Sequence, residues 1–175
     1  MELARLSNGE IIGLDIDQSA LDTLAEKILQ AGLSDRVKTM KRSVINMEFP
    51  DESFDIIWSE GSIFPVGFGK GLKEWKRFLK PGGYMAVHDG KGNITEKLKQ
   101  ISSCGYELLG HFVLSTDIWR DEYLAPLEKL VRETRDKYGD NPDILEALND
   151  AQREVDIFNQ NPELNDSVFF VIKKK

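Results

Sequence analysis

The sequence predicts an α/β domain: a mainly parallel sheet with helices on both faces. Three observations carry that prediction. Short apolar runs bounded by turns read as buried strands, and they alternate with stretches that repeat apolar residues at helical spacing. The first run, Ile11-Ile12-Gly13-Leu14-Asp15-Ile16-Asp17, ends in two carboxylates and is followed at once by a helix start. The order of elements is β-α-β-β-α-β-α-β, then a helical stretch and a closing β, and alternation of this kind builds parallel sheets covered on both sides.

Met1 to Leu6 reads as the tail of a helix terminated by Asn8-Gly9. A strand over residues 10–16 follows. Ser19-Ala20-Leu21-Asp22 has the form of a capping box, Leu21, Leu24, Ala25 and Ile28 share one helix face, and Gly32 closes the helix. Val37 to Arg42 alternates, as a strand near a sheet edge does. After the turn Pro50-Asp51-Glu52-Ser53, Phe54 to Trp58 reads as a short buried strand ending at Ser59-Glu60-Gly61. A glycine-rich loop, Gly61 through Gly71, leads to a helix with Leu72, Trp75, Phe78 and Leu79 on one face, which Lys80-Pro81-Gly82-Gly83 is expected to stop. Tyr84 to His88 is a strand ending at Asp89-Gly90, Thr95 to Ser103 a helix, and Tyr106 to Leu114 another strand. From Trp119 to Asn161 the pattern is helical. Tyr123, Leu127, Leu130 and Thr134 are expected on one face, Gly139-Asp140-Asn141-Pro142 breaks the run, and Ile144, Leu148, Ala151, Val155 and Phe158 share the next face. Ser167 to Ile172 is the last strand.

The length of 175 residues suits one domain with one substantial core, here 1–175 with a helical insertion at about 119–161. A hydrophobic content of 41% with 30% charged residues is ordinary for a globular protein. The net charge of −7 argues against a nucleic-acid partner, whose affinity comes mostly from phosphate neutralisation. Lys70, Lys73, Lys76, Arg77 and Lys80 fall close together and read as a solvated helix face. Cys104 is the single cysteine, so no intrachain disulfide forms and a reducing, cytoplasmic location is expected. No apolar run approaches the ~20 residues that span a bilayer, so no membrane partner is expected. Met1 to Leu6 lacks the apolar core of a signal peptide. Gly67-Phe68-Gly69-Lys70-Gly71 does not fit a phosphate loop, because Phe64 stands where its first glycine belongs and Gly71 follows Lys70.

Three segments together resemble the class I (Rossmann-like) S-adenosylmethionine-dependent methyltransferases: Gly9 to Asp17, Phe49 to Trp58 (FPDESFDIIW), and Trp75 to Tyr84 with its LKPGG phrase. The resemblance covers about residues 1–115 and the closing strand. It implies a Rossmann-like sheet whose antiparallel last strand is inserted beside the preceding one, S-adenosylmethionine as cofactor, and a small-molecule methyl acceptor. By that resemblance Asp15 corresponds to the acid that binds the two ribose hydroxyls, a role for which a carboxylate offers two acceptor oxygens. The alternative for Asp15 is a strand-end carboxylate that helps start the helix. Ile16 is placed against the adenine face, and Ser43 and Val44 against the adenine edge, where the family more often has Asp. Ser59 and Glu60 end the strand nearest the methionine part of the cofactor. Glu60 faces the substrate as a base, meets the cofactor's cationic end, or is a surface carboxylate. His88 and Asp89 lie on the carboxyl edge where α/β sheets bind ligands, and His88 is either a proton acceptor or a satisfied structural histidine. Glu60, His88 and Asp89 are thus the catalytic candidates. Two histidines in separate elements make no zinc site, so no metal is expected.

The resemblance also implies something these residues do not contain. The family's first strand and its glycine-rich turn, D-x-G-x-G-x-G, would precede Met1, and that strand lies between those ending at Asp15 and Trp58. Losing about five buried apolar side chains at roughly 1.5–3 kcal/mol each forfeits on the order of 10 kcal/mol, against a typical domain stability of about 5–15 kcal/mol. Direct re-pairing of the flanking strands, a homo-oligomer through exposed sheet edges, or a longer gene product are the three resolutions. Impaired activity and weak cofactor binding are expected of the 175 residues. Two further functions compete: a non-catalytic remnant or oligomerisation module of the same fold, and an NAD-dependent oxidoreductase, against which an antiparallel last strand would count.

Overall fold

The computed structural model describes residues 1–139, 141–161 and 166–175. The chain divides into two compact units, Met1–Pro50 and Asp51–Lys175.

The first unit holds helix α1 (Glu2–Leu6), strand β1 (Ile11–Asp15), helix α2 (Gln18–Gln30) and strand β2 (Val37–Lys41). β1 and β2 pair in parallel, with Ile11 opposite Val37 and Asp15 opposite Lys41. The expected face of α2 buries Leu21 and Ile28, and Ile28 packs with Ala4 and Val37 as the centre of a small core that Ile11, Leu24 and Leu33 complete. Both helix ends are closed by the chain itself. Asp17, rather than Ser19, is the N-cap: its carboxylate accepts from the Ser19 amide at 2.9 Å. At the other end Gly32 takes φ +66°, its amide donates to the Leu29 carbonyl, and the Leu33 amide donates to the Ile28 carbonyl, the paired bonds of a Schellman ending. Arg36 donates to the carbonyls of Ala4 and Ser7, placing a cation at the carboxyl end of α1.

The second unit holds β3 (Phe54–Glu60), α3 (Phe68–Trp75), β4 (Leu79–Gly90), α4 (Ile94–Ser103), β5 (Tyr106–Leu114), α5 (Thr116–Trp119), α6 (Ala125–Tyr138), α7 (Pro142–Gln160) and β6 (Ser167–Lys174). Its strands run in the order β3-β4-β6-β5. β3 and β4 are parallel, and β6 is antiparallel to both β4 and β5. The last strand is therefore inserted beside the one before it, as expected, and this is the feature that counts against the dehydrogenase reading. Leu72, Trp75, Phe78 and Leu79 are all buried with Met85, Val87, Phe170 and Ile172. Gly71 lets α3 approach the chain before it: a Cβ there would sit 2.7 Å from Ile63 Cγ1. The buried Tyr106 hydroxyl donates to the Leu72 carbonyl at 3.1 Å.

Five expectations change. The Phe54–Trp58 strand is not buried: β3 ends its sheet with one neighbour, and Ile56 and Trp58 are 59% and 48% exposed. Direct re-pairing of β1 with β3 does not occur among the described residues; each lies in a separate sheet. The LKPGG phrase does not stop α3, which ends at Trp75 and unwinds through a 3-10 turn over Lys76–Phe78. Residues 80–83 instead form a bulge in β4. Phe54 is opposite Leu79 but Ile56 is opposite Tyr84, with Gly82 at φ +73° and Lys80 bonded to Asp55 at 2.8 Å. The α2 cap shifts two residues, as above. Finally, the inward face of α6 is Leu124 and Val131, while Tyr123 and Leu130 are exposed. A π turn over Arg120–Leu124 precedes α6 and rotates the face, and Pro126 has no N–H to return to the carbonyl four residues earlier. The face of α7 is as expected, with Leu148 and Val155 buried. The break at Gly139–Pro142 includes Asp140, which lies outside the described residues.

Candidate functional site

In the first unit, parallel pairing brings the carboxyl ends of β1 and β2 to one edge. Asp15 is exposed there, its Oδ1 accepting from the Asp17 amide at 2.9 Å. No hydrogen bond engages its Oδ2 among the described residues, so the carboxylate keeps acceptor capacity for a diol. Ile16, beside it, is 68% exposed and offers bare apolar surface. Ser43 and Val44 lie just past Lys41, the partner of Asp15 in the ladder, and are half-buried. Ser43 forms a tight turn: its hydroxyl accepts from the Ile45 amide at 3.2 Å and its carbonyl from the Asn46 amide at 3.2 Å. All four predicted adenosine-side residues thus share this edge.

The second unit brings Ser59, Glu60, His88 and Asp89 together at the carboxyl end of the β3–β4 pair, where Glu60 is opposite His88 and Ser59 opposite Val87. Gly61, at φ +62°, turns the chain so that its amide donates to the His88 carbonyl at 3.3 Å. Ser59 is buried and its hydroxyl has no partner among the described residues. Glu60 is exposed and accepts the Trp58 indole N–H at 2.8 Å. His88 lies flat on Phe169 with ring centres 4.6 Å apart, and Trp119 approaches it at 5.7 Å. Its Nε2 is buried without a partner among the described residues. Burial holds the imidazole below its ordinary pKa of 6.5, opposed by the charges of Glu60 and Asp89. Asp89 is committed elsewhere: it pairs with Lys97, both side chains nearly buried, and Lys97 also donates to the Gly90 carbonyl.

Sequence reasoning did not find the ring cluster around His88. Phe169 stacks with Phe112 at 5.3 Å and meets Trp58 at 6.3 Å, so β3, β4, β5 and β6 each contribute one ring. The period-2 alternation of β6, which separates Phe169 from buried Val168 and Phe170, was the available signal. Asp166 was also missed. It accepts from Lys91 at 2.7 Å and from the amide and hydroxyl of Thr116 at 2.9 Å each, fastening the start of the helical insertion to the end of β4 and the start of β6. The Lys91 ammonium and the Thr116 donors hold its carboxyl below the usual value. The lysine-rich stretch is largely neutralised: Lys70 pairs with Glu74, Arg77 with Asp51 and Lys80 with Asp55, while Lys76 donates to the Cys104 and Gly105 carbonyls. Among the described residues no group of three or more His, Cys, Asp or Glu side chains is arranged to hold a metal. No helix among them is long and apolar enough to cross a membrane.

Comparison with known proteins gives the family. Residues 1–87 match the model of the methyltransferase domain. The sterol 24-C-methyltransferase ERG6B of Gibberella zeae is 28% identical over 161 residues, covering 75% of this chain and 42% of that protein. The solved 4+2 cyclase SpnF has a TM-score of 0.76 at 20% identity, covering 99% of this chain and 68% of that one. An S-adenosylmethionine-dependent methyltransferase from Geobacter sulfurreducens, solved with S-adenosyl-L-homocysteine, has a TM-score of 0.71 at 14% identity, covering 94% of this chain and 75% of that one. The chain spans 36%, 32% and 42% of the lengths of three curated relatives. With the matching domain over residues 1–87 and the antiparallel strand set between β4 and β5, the chain belongs to the class I, Rossmann-like family of S-adenosylmethionine-dependent methyltransferases.

Proposed function

We propose that the chain carries the adenosine-binding edge and the acceptor-facing edge of an enzyme that methylates a small molecule with S-adenosylmethionine. The observation that carries this reading is the cluster Asp15, Ile16, Ser43 and Val44 at one strand edge, with a half-engaged carboxylate beside bare apolar surface. These residues fit the cofactor's nucleoside. Asp15 would accept from the ribose hydroxyls, Ile16 would cover the adenine face, and Ser43 and Val44 would meet its edge. In the second unit the Ser59 hydroxyl, without a partner among the described residues, and the Glu60 carboxylate are the polar groups we propose for a methionine end. The group, when bound, supplies a methyl on a positively charged sulfur. The protein's own work is then chiefly orientation and exclusion of water, and no catalytic triad is needed.

A small, largely apolar acceptor is supported by the acidic surface, by the rings around His88, and by a relative named for a sterol. Glu60 and His88 are its polar neighbours, whereas Asp89 serves the fold through Lys97. The single, buried Cys104 suits a cytoplasmic protein.

These 175 residues contain no D-x-G-x-G-x-G turn to hold the cofactor's carboxypropyl end. On these residues alone that end of the cofactor would lack the turn's backbone donors, each charge-assisted bond contributing about 1.5–3 kcal/mol, and weak binding is proposed for them. Titration of S-adenosylhomocysteine into the protein, followed by amide chemical shifts, tests the reading: weak saturable binding at Asp15, Ile16 and Ser43 supports it, and no perturbation there refutes it. A second reading, a self-associating module without turnover, is favoured by the open β3 edge with its exposed Ile56 and Trp58. Sedimentation velocity over a concentration series separates the two, since a module of that kind runs as a dimer or larger.

A further inference from the structure

We infer that His88 and the rings around it form a binding site for an uncharged aromatic hydroxyl compound, whose O–H donates to Nε2 of His88. The inference rests on the methyltransferase reading only in taking that compound to be the methyl acceptor.

The argument starts from an unmade hydrogen bond. Nε2 is buried, and neither a described residue nor a neighbouring backbone group bonds it. A buried polar atom left in this state costs about 1–3 kcal/mol, which a ligand recovers by supplying the missing donor. The rings around it set the ligand's shape. Phe169 is the centre, with His88 stacked on it at 4.6 Å, Phe112 at 5.3 Å and Trp58 at 6.3 Å. Phe112 and Trp58 are 54% and 48% exposed, so a planar apolar body has ring faces available to lie on.

Charge excludes an anion. The lysines of this edge are occupied, Lys97 by Asp89 and Lys91 by Asp166, while Glu60 stands opposite His88. Burial disfavours the imidazolium, and in the neutral tautomer that carries its proton on Nδ1 the Nε2 nitrogen is the acceptor the proposal uses. Trp119 lies beside His88 at 5.7 Å. Its indole is tied by a hydrogen bond to the Ser167 hydroxyl at 2.9 Å, on the four-residue helix α5 that runs into the π turn. In turnover the hydroxyl proton passes to Nε2, the O–H bond breaking as the N–H bond forms and the oxygen keeping the electron pair.

The test compares 2-naphthol with 2-methoxynaphthalene, which has the same rings and no donor. The wild-type protein binds 2-naphthol about tenfold more tightly, the size of one hydrogen bond to a buried acceptor. His88→Phe keeps a ring on Phe169, abolishes the preference and leaves the affinity for 2-methoxynaphthalene unchanged. Equal affinities in the wild type, a preference that survives in His88→Phe, or no binding of either compound overturns the proposal. Should His88→Phe fail to fold, the Nε2 nitrogen resonance of wild-type His88 decides: it moves with 2-naphthol and not with the ether, and an unmoved resonance overturns the proposal. S-adenosylhomocysteine is titrated into the same samples. Its binding without the naphthol preference removes this inference and leaves the methyltransferase reading; the preference without its binding does the reverse.

Discussion

Replacing Lys97 by methionine would leave the Asp89 carboxylate charged in a place built for a pair. The two side chains are 13% and 11% exposed, and Lys97 also donates to the Gly90 carbonyl and lies 4.9 Å over the Phe68 ring. Removing one member of such a pair costs about 3–5 kcal/mol, because the survivor keeps its desolvation penalty without its partner. Methionine retains most of the aliphatic packing on Phe68, so the loss reports the charge rather than a cavity. The double variant Lys97→Met, Asp89→Asn removes both charges and recovers more than half of the loss. Urea unfolding followed by tryptophan emission is the assay. The three tryptophans, Trp58, Trp75 and Trp119, all belong to the second unit, so the signal reads the unit that contains the pair. A Lys97→Met protein within about 1 kcal/mol of wild type would refute the reasoning, since it would put the pair in water; so would a double variant as unstable as the single.

Asp166 contributes stability that is present above the ordinary carboxylate pKa near 3.8 and lost as pH falls through its lowered folded value; Asp166→Asn flattens the acid limb of a stability profile between pH 6 and 2. His88, also lowered on folding, titrates with an NMR midpoint below 6.5, and its contribution is complete above pH 6.5 and declines as pH falls below it. Gly71→Ala puts a methyl 2.7 Å from Ile63 Cγ1 and costs about 1–3 kcal/mol by thermal or urea unfolding, whereas Gly90→Ala, with open space around its Cα, costs less than Gly71→Ala.

The order of elements was legible because it depends on local pattern: apolar runs, helical spacing, and glycine or proline at the joints; the reversed last strand came only from the family resemblance. The place of Asp15, at the end of a strand that feeds a helix, was legible for the same reason as the order of elements. What the pattern does not carry is the number of neighbours a strand has. Phe54 to Trp58 is as apolar as an interior strand, and its exposure follows from a partner on one side only. The bulge at residues 80–83 was hidden because proline and glycine terminate a helix and interrupt a ladder equally well. The α6 face was misplaced because a single π turn shifts every later residue around the axis. The ring cluster around His88 is assembled from four strands and α5, and Asp166 joins residues 50 and 75 positions away. No local spacing reports contacts at that separation.

The account depends most on Asp15 as the residue that takes the ribose of the cofactor. Titrating S-adenosylhomocysteine into the wild type and Asp15→Asn, with amide shifts as the readout, tests it most directly. The account predicts weak, saturable binding by the wild type and at least a tenfold loss in Asp15→Asn, since the amide replaces one acceptor by a donor. Equal affinity in the two proteins would contradict it.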